Sequence, residues 1–188
     1  MASKKTYEVA FRRRREGKTD YKKRLASVKG GVPRLVVRLS NKYVTAQIIE
    51  YVESGDKVIV SASSKELDKY GWMGNKNISS CYLTGLSIAK KALKAIVEKV
   101  ILDIGFKSPV AGSRVFSVLK GVVDGGLDVP HSADAFPSED RISGKHIQAF
   151  ASTELGKSKL GNYEKNKVDV SNLTNVFDKV KGKILNGE

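Results

Sequence analysis

Residues that build disulfides and metal centres are scarce in this chain of 188 residues, which has one cysteine, two histidines and one tryptophan. Cys81 has no partner for an intramolecular disulfide, which favours a reducing compartment. His131 and His146 would need two further ligands to form a zinc site, and one cysteine cannot supply the usual set. The composition therefore excludes a disulfide scaffold and predicts no bound metal.

Long apolar runs are also missing from the sequence. No stretch approaches the roughly 18–20 residues that span a bilayer. The N-terminus has no apolar segment after its charges, so it does not resemble a secretory signal, and its basic segment lacks the wide apolar face of an interfacial helix. We therefore expect no membrane partner.

Sequence motifs of catalysis are absent. There is no Walker loop, and the glycines at 121, 125 and 126 have the wrong spacing for a dinucleotide fingerprint and lie at a predicted helix end. Cys81 lies beside an apolar helical stripe, which predicts a buried, inert thiol rather than a nucleophile. The sequence thus predicts neither an enzyme nor a cofactor or small-molecule substrate.

Carboxylates are few relative to cations: 20 Asp+Glu against 34 Lys+Arg give a net charge of +14. Residues 1–30 carry eleven cations and three anions, a net +8, whereas residues 31–130 carry fourteen and nine, a net +5. Residues 131–188 carry nine and eight, a net +1. A basic arm on a mildly basic body and a nearly neutral tail indicates a nucleic-acid partner.

The densest charge lies between residues 11 and 24, with eight cations and two carboxylates. Such a segment would neutralise phosphates and release counterions, which gives an affinity that falls with salt. Tyr7, Phe11 and Tyr21 could stack on unpaired bases, although a solubilising tail with incidental aromatics is the alternative. The candidate phosphate contacts of the arm are Arg12, Arg13, Arg14, Arg15, Lys18, Lys22, Lys23 and Arg24.

The body of the chain begins with three predicted strands. Residues 34–40 alternate, residues 43–51 form a second strand and residues 57–62 a third. The two-residue loop Asn41–Lys42 joins the first pair, where asparagine would tolerate the positive φ of a tight hairpin. Short turns between all three strands predict an antiparallel meander.

A helix, a strand and a second helix follow. The apolar stripe Tyr82, Leu86, Ala89, Leu93, Ile96 predicts the first helix, capped by Ser79 or Ser80. The apolar run 100–104 is typical of a buried strand, and residues 115–123 predict a helix that ends at Gly125–Gly126. The fourth strand arrives through a helical crossover and should lie parallel to the first. The predicted class is α/β, a mixed sheet covered by helices in the order β-β-β-α-β-α, as in the ribonuclease H topology, with a basic N-terminal arm and a C-terminal extension.

Three regions are predicted: an arm (1–30), an α/β core (31–130) and an extension (131–188). The extension has a predicted short helix at about 144–155 and a polar segment at 156–167, which is either a linker or a loop that RNA orders. A last helix would bury Val176, Phe177, Val180 and Ile184, with Ser171 or Asn172 as its cap.

Three features of the body each have two interpretations. Arg34 and Arg38 should project from one sheet face near Tyr43, Thr45 and Gln47, as either an RNA surface or an ordinary solvated face. Trp72 would either stack on a base or pack in the core. The segment Gly112–Arg114 opens the second helix, where free N–H groups either bind a phosphate or form a simple cap.

The topology also raises the possibility of a nuclease. Ribonuclease H-type enzymes hold divalent metals with carboxylates, one of them on the first strand. Here that strand carries Arg34 and Arg38 instead, and Asp103 is the lone carboxylate in the right neighbourhood. The sequence predicts shared architecture without the chemistry.

Several motifs, in order, resemble one family of ribosomal proteins. They are Phe11 to Tyr21, Lys22 to Leu25, Pro33 to Arg38, Ser40 to Lys42, Ala46 to Ile49, Ser61 to Leu67, Tyr70 to Trp72, Tyr82 to Leu86, Gly112 to Phe116 and Val129 to Ser132. Over residues 4–150 the chain resembles the archaeal and eukaryotic branch of the large-subunit family called L18 in bacteria and archaea and L5 in eukaryotes.

This resemblance implies a structural protein of the cytoplasmic ribosome that binds 5S rRNA and anchors it in the central protuberance, beside 23S rRNA and neighbouring proteins. The arm would follow the 5S rRNA. Serine stands at position 113 where bacterial members have glycine in the turn before Arg114. The alternatives are a nuclease of ribonuclease H topology and a nonspecific nucleic-acid-coating protein. By position, further RNA contacts would be Ser40, Asn41, Lys42, Tyr43, Gln47, Gly112, Ser113 and Arg114.

Overall fold

A four-stranded mixed sheet lies at the centre of the molecule, with strand order β3-β2-β1-β4. The computed structural model describes residues 8–153, 160, 163 and 170–187. Both β1–β2 and β2–β3 pair antiparallel, whereas β4 pairs parallel with β1. The predicted meander with a parallel fourth strand is confirmed. The strands are β1 (Arg34–Leu39), β2 (Val44–Val52), β3 (Gly55–Ser63) and β4 (Ile101–Asp103).

Helices flank and cover this sheet, and the order β-β-β-α-β-α of the body is confirmed. In the described part of the chain the α-helices are α1 (Arg12–Arg15), α2 (Tyr21–Lys29), α3 (Ile78–Lys94), α4 (Arg114–Asp124), α5 (Glu139–Ser143), α6 (Lys145–Ala151) and α7 (Leu173–Asn186). Single 3₁₀ segments lie at Ser64–Tyr70, Ala133–Ala135 and Val170–Asn172. Among the described helices, none has the length and apolar character that crossing a membrane requires.

The β1–β2 hairpin is closed by a serine side chain rather than by a residue of positive φ. Ser40 N–H donates to the Tyr43 carbonyl at 2.9 Å, and Tyr43 N–H donates to Ser40 Oγ at 2.9 Å. Among the described residues other than glycine, only Ile96 has a positive φ. The positive φ predicted for Asn41 is therefore wrong, because the side chain of Ser40 holds the loop instead.

One face of the sheet packs against α3 and α4 to form the main core. Alternate residues of β1 and β2, such as Leu35, Val37 and Ile48, are fully buried there. Burial of each such side chain stabilises the fold by about 1.5–3 kcal/mol relative to exposure. The alternation seen in the sequence thus places this face correctly.

Helix α3 starts and stops at positions the apolar stripe alone did not indicate. Its cap is Asn77, whose Oδ1 accepts from Ser80 N–H at 2.7 Å, so Ser79 and Ser80 lie inside the first turn. At the other end, Ile96 is 87 % exposed with φ 59°, beyond the helix terminus. Its predicted place in the core is wrong, because the left-handed turn carries it away from the stripe.

Helices α3 and α4 cross closely because glycines line their contact. A Cβ on Gly85 would collide with the carbonyl oxygen of Val118, and a Cβ on Gly121 would collide with that of Tyr82. Only a residue without a side chain permits this backbone approach. Of the three glycines predicted to lie at a helix end, two therefore have a packing role, since a Cβ on Gly125 would also collide with the Cβ of Ala89 in α3.

The buried core extends beyond residue 130. Helix α7 buries Phe177 and Val180 in a second cluster with Trp72 and Tyr82, and Asn172 stands at its N-cap position. Trp72 is 3 % exposed, which confirms core packing over an exposed stacking role. The helix predicted from 144 is confirmed but ends at Ala151, and a separate α5 precedes it. Apart from 160 and 163, the predicted polar segment 156–167 lies outside the described residues, and the three-region division stays a prediction.

We predict that Gly121→Ala lowers the free energy of unfolding by about 1–3 kcal/mol, because the backbone it meets cannot yield cheaply. Chemical denaturation of both proteins measures the difference. The matched control is Gly182→Ala in α7, where a new Cβ meets nothing within 4 Å. That variant should gain up to about 1 kcal/mol from helix propensity. Equal stabilities for the two variants would contradict close packing of α3 on α4.

Candidate nucleic-acid interface

A network of ion pairs organises the sheet face opposite the main core. Arg34 is 4 % exposed, and its guanidinium donates to Asp56 at 2.9 Å and to Asp103 at 3.1 Å. Asp56 also accepts from Arg24 of α2 at 2.9 Å, and Asp103 lies 3.7 Å from Arg38. Two carboxylates thus join three arginines from the arm and from β1.

This geometry corrects the expectation that Arg34 and Arg38 project together into solvent. Arg34 is buried because the two carboxylates neutralise its charge, and its Nε has no hydrogen-bond partner. Arg38 keeps a side chain that is 47 % exposed, and it also donates to the Asp103 carbonyl at 3.2 Å. Of the two, Arg38 is the one available to an external phosphate.

The described part of the arm folds over this face as α1 and α2. Asp20 caps α2, since its Oδ1 accepts from the backbone N–H groups of Lys22 and Lys23 at 3.1 and 3.2 Å. A cleft of about 300 Å³ separates the arm from the sheet. The sequence-predicted residues that line it are Arg13, Lys18, Lys23, Arg24, Arg34, Arg38 and Gln47.

Several arm cations remain unneutralised. Glu16 pairs with Arg12 at 3.3 Å and with Lys18 at 2.8 Å, in exposed positions where ion pairs contribute little. The exposed cations Arg14, Arg15 and Lys22 make no ion pair with a described residue. An external polyanion can therefore neutralise these charges without breaking a buried ion pair of the protein.

The aromatic residues of the arm contact one another. The ring centroids of Phe11 and Tyr21 lie 5.1 Å apart, at an interplanar angle of 46°. Phe11 is nonetheless 70 % exposed, so one of its faces is open. Tyr7, the third predicted stacking residue, lies outside the described residues.

The hairpin tip forms a second part of the interface. Lys76 Nζ donates to the Ser40 carbonyl at 3.3 Å, which joins the loop before α3 to the tip. An open cleft of about 670 Å³, here called the tip cleft, lies between them. Asn41, Lys42 and Tyr43 line it from the hairpin side, so three of the predicted residues share one concave surface.

The turn before α4 lies at the same end of the molecule. Ser117 Oγ donates to the Ile78 carbonyl at 2.7 Å and thereby links the first turns of α4 and α3. Gly112 adopts φ 68°, a conformation that favours glycine. Ser113 occupies the N-cap without a side-chain hydrogen bond, and Arg114 is exposed. The first N–H groups of α4 are therefore not capped by the side chain of Ser113.

Topology explains why these segments gather at one end. Strands β1 and β4 are parallel, so the loops that follow them emerge at the same edge of the sheet. Helices α3 and α4 both start from that edge. The arm reaches it too, since Arg13 and Lys18 share a small cleft with Leu39 and Gly105.

Comparison with known proteins identifies the chain. A family model described as "Ribosomal large subunit proteins 60S L5, and 50S L18" matches residues 5–99 and 95–132. A protein named large ribosomal subunit protein uL18 from Korarchaeum cryptofilum is 55 % identical over 152 residues, covering 80 % of this chain and 78 % of the relative. The chain belongs to the L5/L18 family of large-subunit ribosomal proteins.

Two further members of the L5/L18 family match nearly the whole chain. The uL18 protein of Caldivirga maquilingensis is 45 % identical and covers 98 % of this chain and 93 % of its own length. That of Methanothermobacter thermautotrophicus is 44 % identical and covers 98 % of both. The predicted family is confirmed, its matched relatives here are archaeal, and the predicted place in the cytoplasmic ribosome agrees with it.

The matched relatives are named as proteins of the large ribosomal subunit, a name that points to no catalytic activity. Within 8–153, 160, 163 and 170–187, no three His, Cys, Asp or Glu side chains are grouped so as to hold a metal ion. Asp103, the one carboxylate considered for a nuclease, is engaged by Arg34 and Arg38. Burial raises the pKa of the Cys81 thiol to about 12, although the nearby Arg114 acts in the opposite direction. The thiol is therefore protonated at neutral pH, as predicted for an inert cysteine.

The sequence did not indicate that two carboxylates hold the arginines. The surplus cations were expected to face phosphate, whereas Asp56 and Asp103 neutralise part of that charge. The available signal was that β1 carries arginines while the neighbouring β4 carries an aspartate. The strand register decides that this aspartate reaches Arg34.

We predict that Asp103→Asn lowers the free energy of unfolding by about 1–3 kcal/mol, because Arg34 loses one of its two buried anionic partners. Asparagine preserves the shape, so the loss reports charge. Thermal or urea unfolding measures it.

The control for this prediction is Asp128→Asn, which removes an exposed pair with Lys99 at 3.5 Å. Its expected cost is about 0.5 kcal/mol or less. If both variants lose the same small amount, the network around Arg34 does not stabilise the fold.

Proposed function

We propose that this chain binds 5S rRNA and attaches it to the central protuberance of the large subunit, beside 23S rRNA and neighbouring proteins. The observation that carries the proposal is the set of exposed, unpaired arm cations next to the loop-bearing end of the sheet, in a chain of the L5/L18 family. Charge alone supports RNA binding, and the family supports the particular RNA.

Electrostatic attraction by the arm supplies the nonspecific part of the affinity. Arg14, Arg15 and Lys22 meet no internal carboxylate among the described residues, so phosphates can replace their counterions. The weak exposed pairs of Arg12 and Lys18 can exchange Glu16 for phosphate. Because α2 is held on the sheet through Arg24 and Asp56, these charges keep a fixed direction relative to the body.

Specific recognition would come from shape at the end of the sheet. The hairpin tip, the turn at Gly112 and the exposed side chain of Arg38 form a rigid surface of fixed geometry. RNA is read largely through shape, backbone contacts and splayed bases. A surface with several separated contacts can distinguish one folded RNA from another of similar length.

The first test compares binding of the full chain to 5S rRNA and to a size-matched RNA, at two salt concentrations. We expect a preference of about a hundredfold, or roughly 2.8 kcal/mol, that persists at high salt. Equal affinities with steep loss in salt would leave a nonspecific coating protein. RNA cleavage that depends on magnesium would instead support the nuclease alternative.

Replacement of Arg12, Arg13, Arg14 and Arg15 by alanine should weaken 5S binding and flatten its salt dependence. The log–log slope should fall by about 0.7–0.9 for each phosphate that the arm no longer neutralises. Titrations of the wild type and the variant across a salt series measure this. An unchanged slope would show that the arm does not touch phosphate.

In the body, Arg114→Ala should reduce the affinity for 5S rRNA by about tenfold, because it removes a cation that can bind a phosphate. Since Arg114 is exposed, the thermal stability should not fall. Arg38→Ala should also lower the affinity for 5S rRNA. The charge-matched control is Arg141→Ala on α5, an exposed arginine of the extension, which should bind normally. Normal binding by both Arg114 and Arg38 variants would remove the body surface from the proposal.

A further inference from the structure

One wall of the tip cleft carries none of the residues that the sequence predicts to contact RNA. Its hairpin side carries the predicted contacts Lys42 and Tyr43, but its opposite side is the loop before α3, including Asn75, Lys76 and Asn77. Its volume of about 670 Å³ lies within the roughly 300–1,000 Å³ typical of small-ligand sites. The cleft is thus a concave site of ligand size, one wall of which has no predicted binding role.

This loop is held rigidly by its own side chains. The buried Trp72 donates its Nε1–H to Ser80 Oγ at 2.8 Å, and Ser80 Oγ donates to Asn75 Oδ1 at 2.8 Å. Asn77 N–H donates to the same Asn75 oxygen at 3.0 Å. These bonds fix Asn75, so the wall is organised before any ligand arrives, which reduces the ordering cost of binding.

A glycine brings the loop close to the end of the sheet. Gly74 N–H donates to Asp68 Oδ1 at 2.7 Å, and a Cβ there would collide with the carbonyl oxygen of Ser64. Ser64 Oγ in turn accepts from Val44 N–H at 3.0 Å, next to the hairpin tip. The two walls of the cleft are therefore anchored to each other.

The polar groups left in the cleft suit a nucleotide. Lys42 is exposed, and Lys42 and the amide nitrogen of Asn75 make no hydrogen bond or ion pair with a described residue. Lys76 uses one of three ammonium hydrogens on Ser40, and the side chain of Tyr43 is half-buried at the rim. Asp68 and Tyr163 also line the cleft, where Asp68 Oδ1 accepts from Gly74 N–H and the Tyr163 hydroxyl accepts from Asn77 Nδ2 at 3.2 Å. The two cations, the amide and the ring of Tyr43 are groups that bind a phosphate, a base edge and a base face.

We propose that the tip cleft binds an unpaired nucleotide of RNA, with Lys76 and Asn75 as contacts supplied by the loop before α3. Lys42 and Lys76 bind the phosphate, Tyr43 stacks on the base, and the Asn75 amide contacts its edge. The proposal rests on the RNA-binding function proposed above and adds a specific subsite to it. The cleft is continuous with the hairpin tip, which favours a nucleotide within a chain over a free one.

The test uses the full chain, 5S rRNA and the variant Lys76→Gln. We expect its affinity to fall by about tenfold, equivalent to about 1.4 kcal/mol. Chemical probing of the bound RNA should show one or two nucleotides that the wild type protects and the variant does not. Lys42→Gln should expose the same nucleotides, and it serves as the second variant because Lys76 also supports the hairpin through Ser40.

Matched controls separate this subsite from general charge. Lys99→Gln removes one exposed positive charge beside Asp128, at the opposite end of the sheet, and should change affinity by less than about twofold. Tyr43→Leu should weaken binding, whereas Tyr51→Leu, at the far and exposed end of β2, should not.

The outcomes separate the two proposals. If the wild type prefers 5S rRNA but Lys76→Gln and Lys42→Gln match Lys99→Gln in affinity and protection, the subsite is overturned while the proposed function stands. If the wild type shows no preference for 5S rRNA, the proposed function fails and the subsite fails with it. Selective loss of protection in the Lys76 and Lys42 variants supports the subsite.

Discussion

The buried guanidinium of Arg34 is the constraint on which the arrangement of this protein depends. A charged group with 4 % exposure is tolerable only when anions neutralise it, and Asp56 and Asp103 do so from β3 and β4. Asp56 also reaches Arg24 in α2. One cation therefore ties β3, two strands away, and the neighbouring β4 to β1, and through Asp56 it positions the basic arm.

This arrangement decides which positive charges are internal and which face outward. The carboxylates of Asp56 and Asp103 are shared among arginines at the sheet, whereas Arg14, Arg15 and Lys22 find no carboxylate among the described residues. A chain with net charge +14 cannot satisfy all its cations internally. The surplus lies beside the edge where the parallel strands end, which is where an RNA partner would be bound.

The helical layer keeps that edge in place. Close approach of α3 and α4 at Gly85 and Gly121 sets both helix N-termini side by side. Helix α7 covers the other side of α3, burying Phe177 against Trp72 at 5.8 Å between ring centroids. Trp72 in turn orders the loop of the tip cleft through Ser80. The packing of the helices thus determines the position of the loop that forms the candidate interface.

Much of the fold follows from local patterns. Alternation in residues 34–40, the stripe of α3 and the helical crossover predict the meander, the helices and the parallel strand, because burial period and chain connectivity are properties of neighbouring residues. The charge distribution and the ordered motifs likewise predict the family. Local sequence patterns predicted the ends of helix α3 less well than its middle. The cap at Asn77 and the exposed position of Ile96 depend on how the helix ends meet the rest of the protein.

The sequence alone determined the strands, the helices, the excess of positive charge in the arm and the family. Tertiary structure decided which of those charges are available. Arg34 and Arg38 are equivalent in the alternation of one strand, but Arg34 is buried by partners 22 and 69 residues away. Tertiary structure also brought the loop of Lys76 to Ser40, 36 residues apart. Such pairings depend on strand register and layer packing over long separations, which no local pattern of residues encodes.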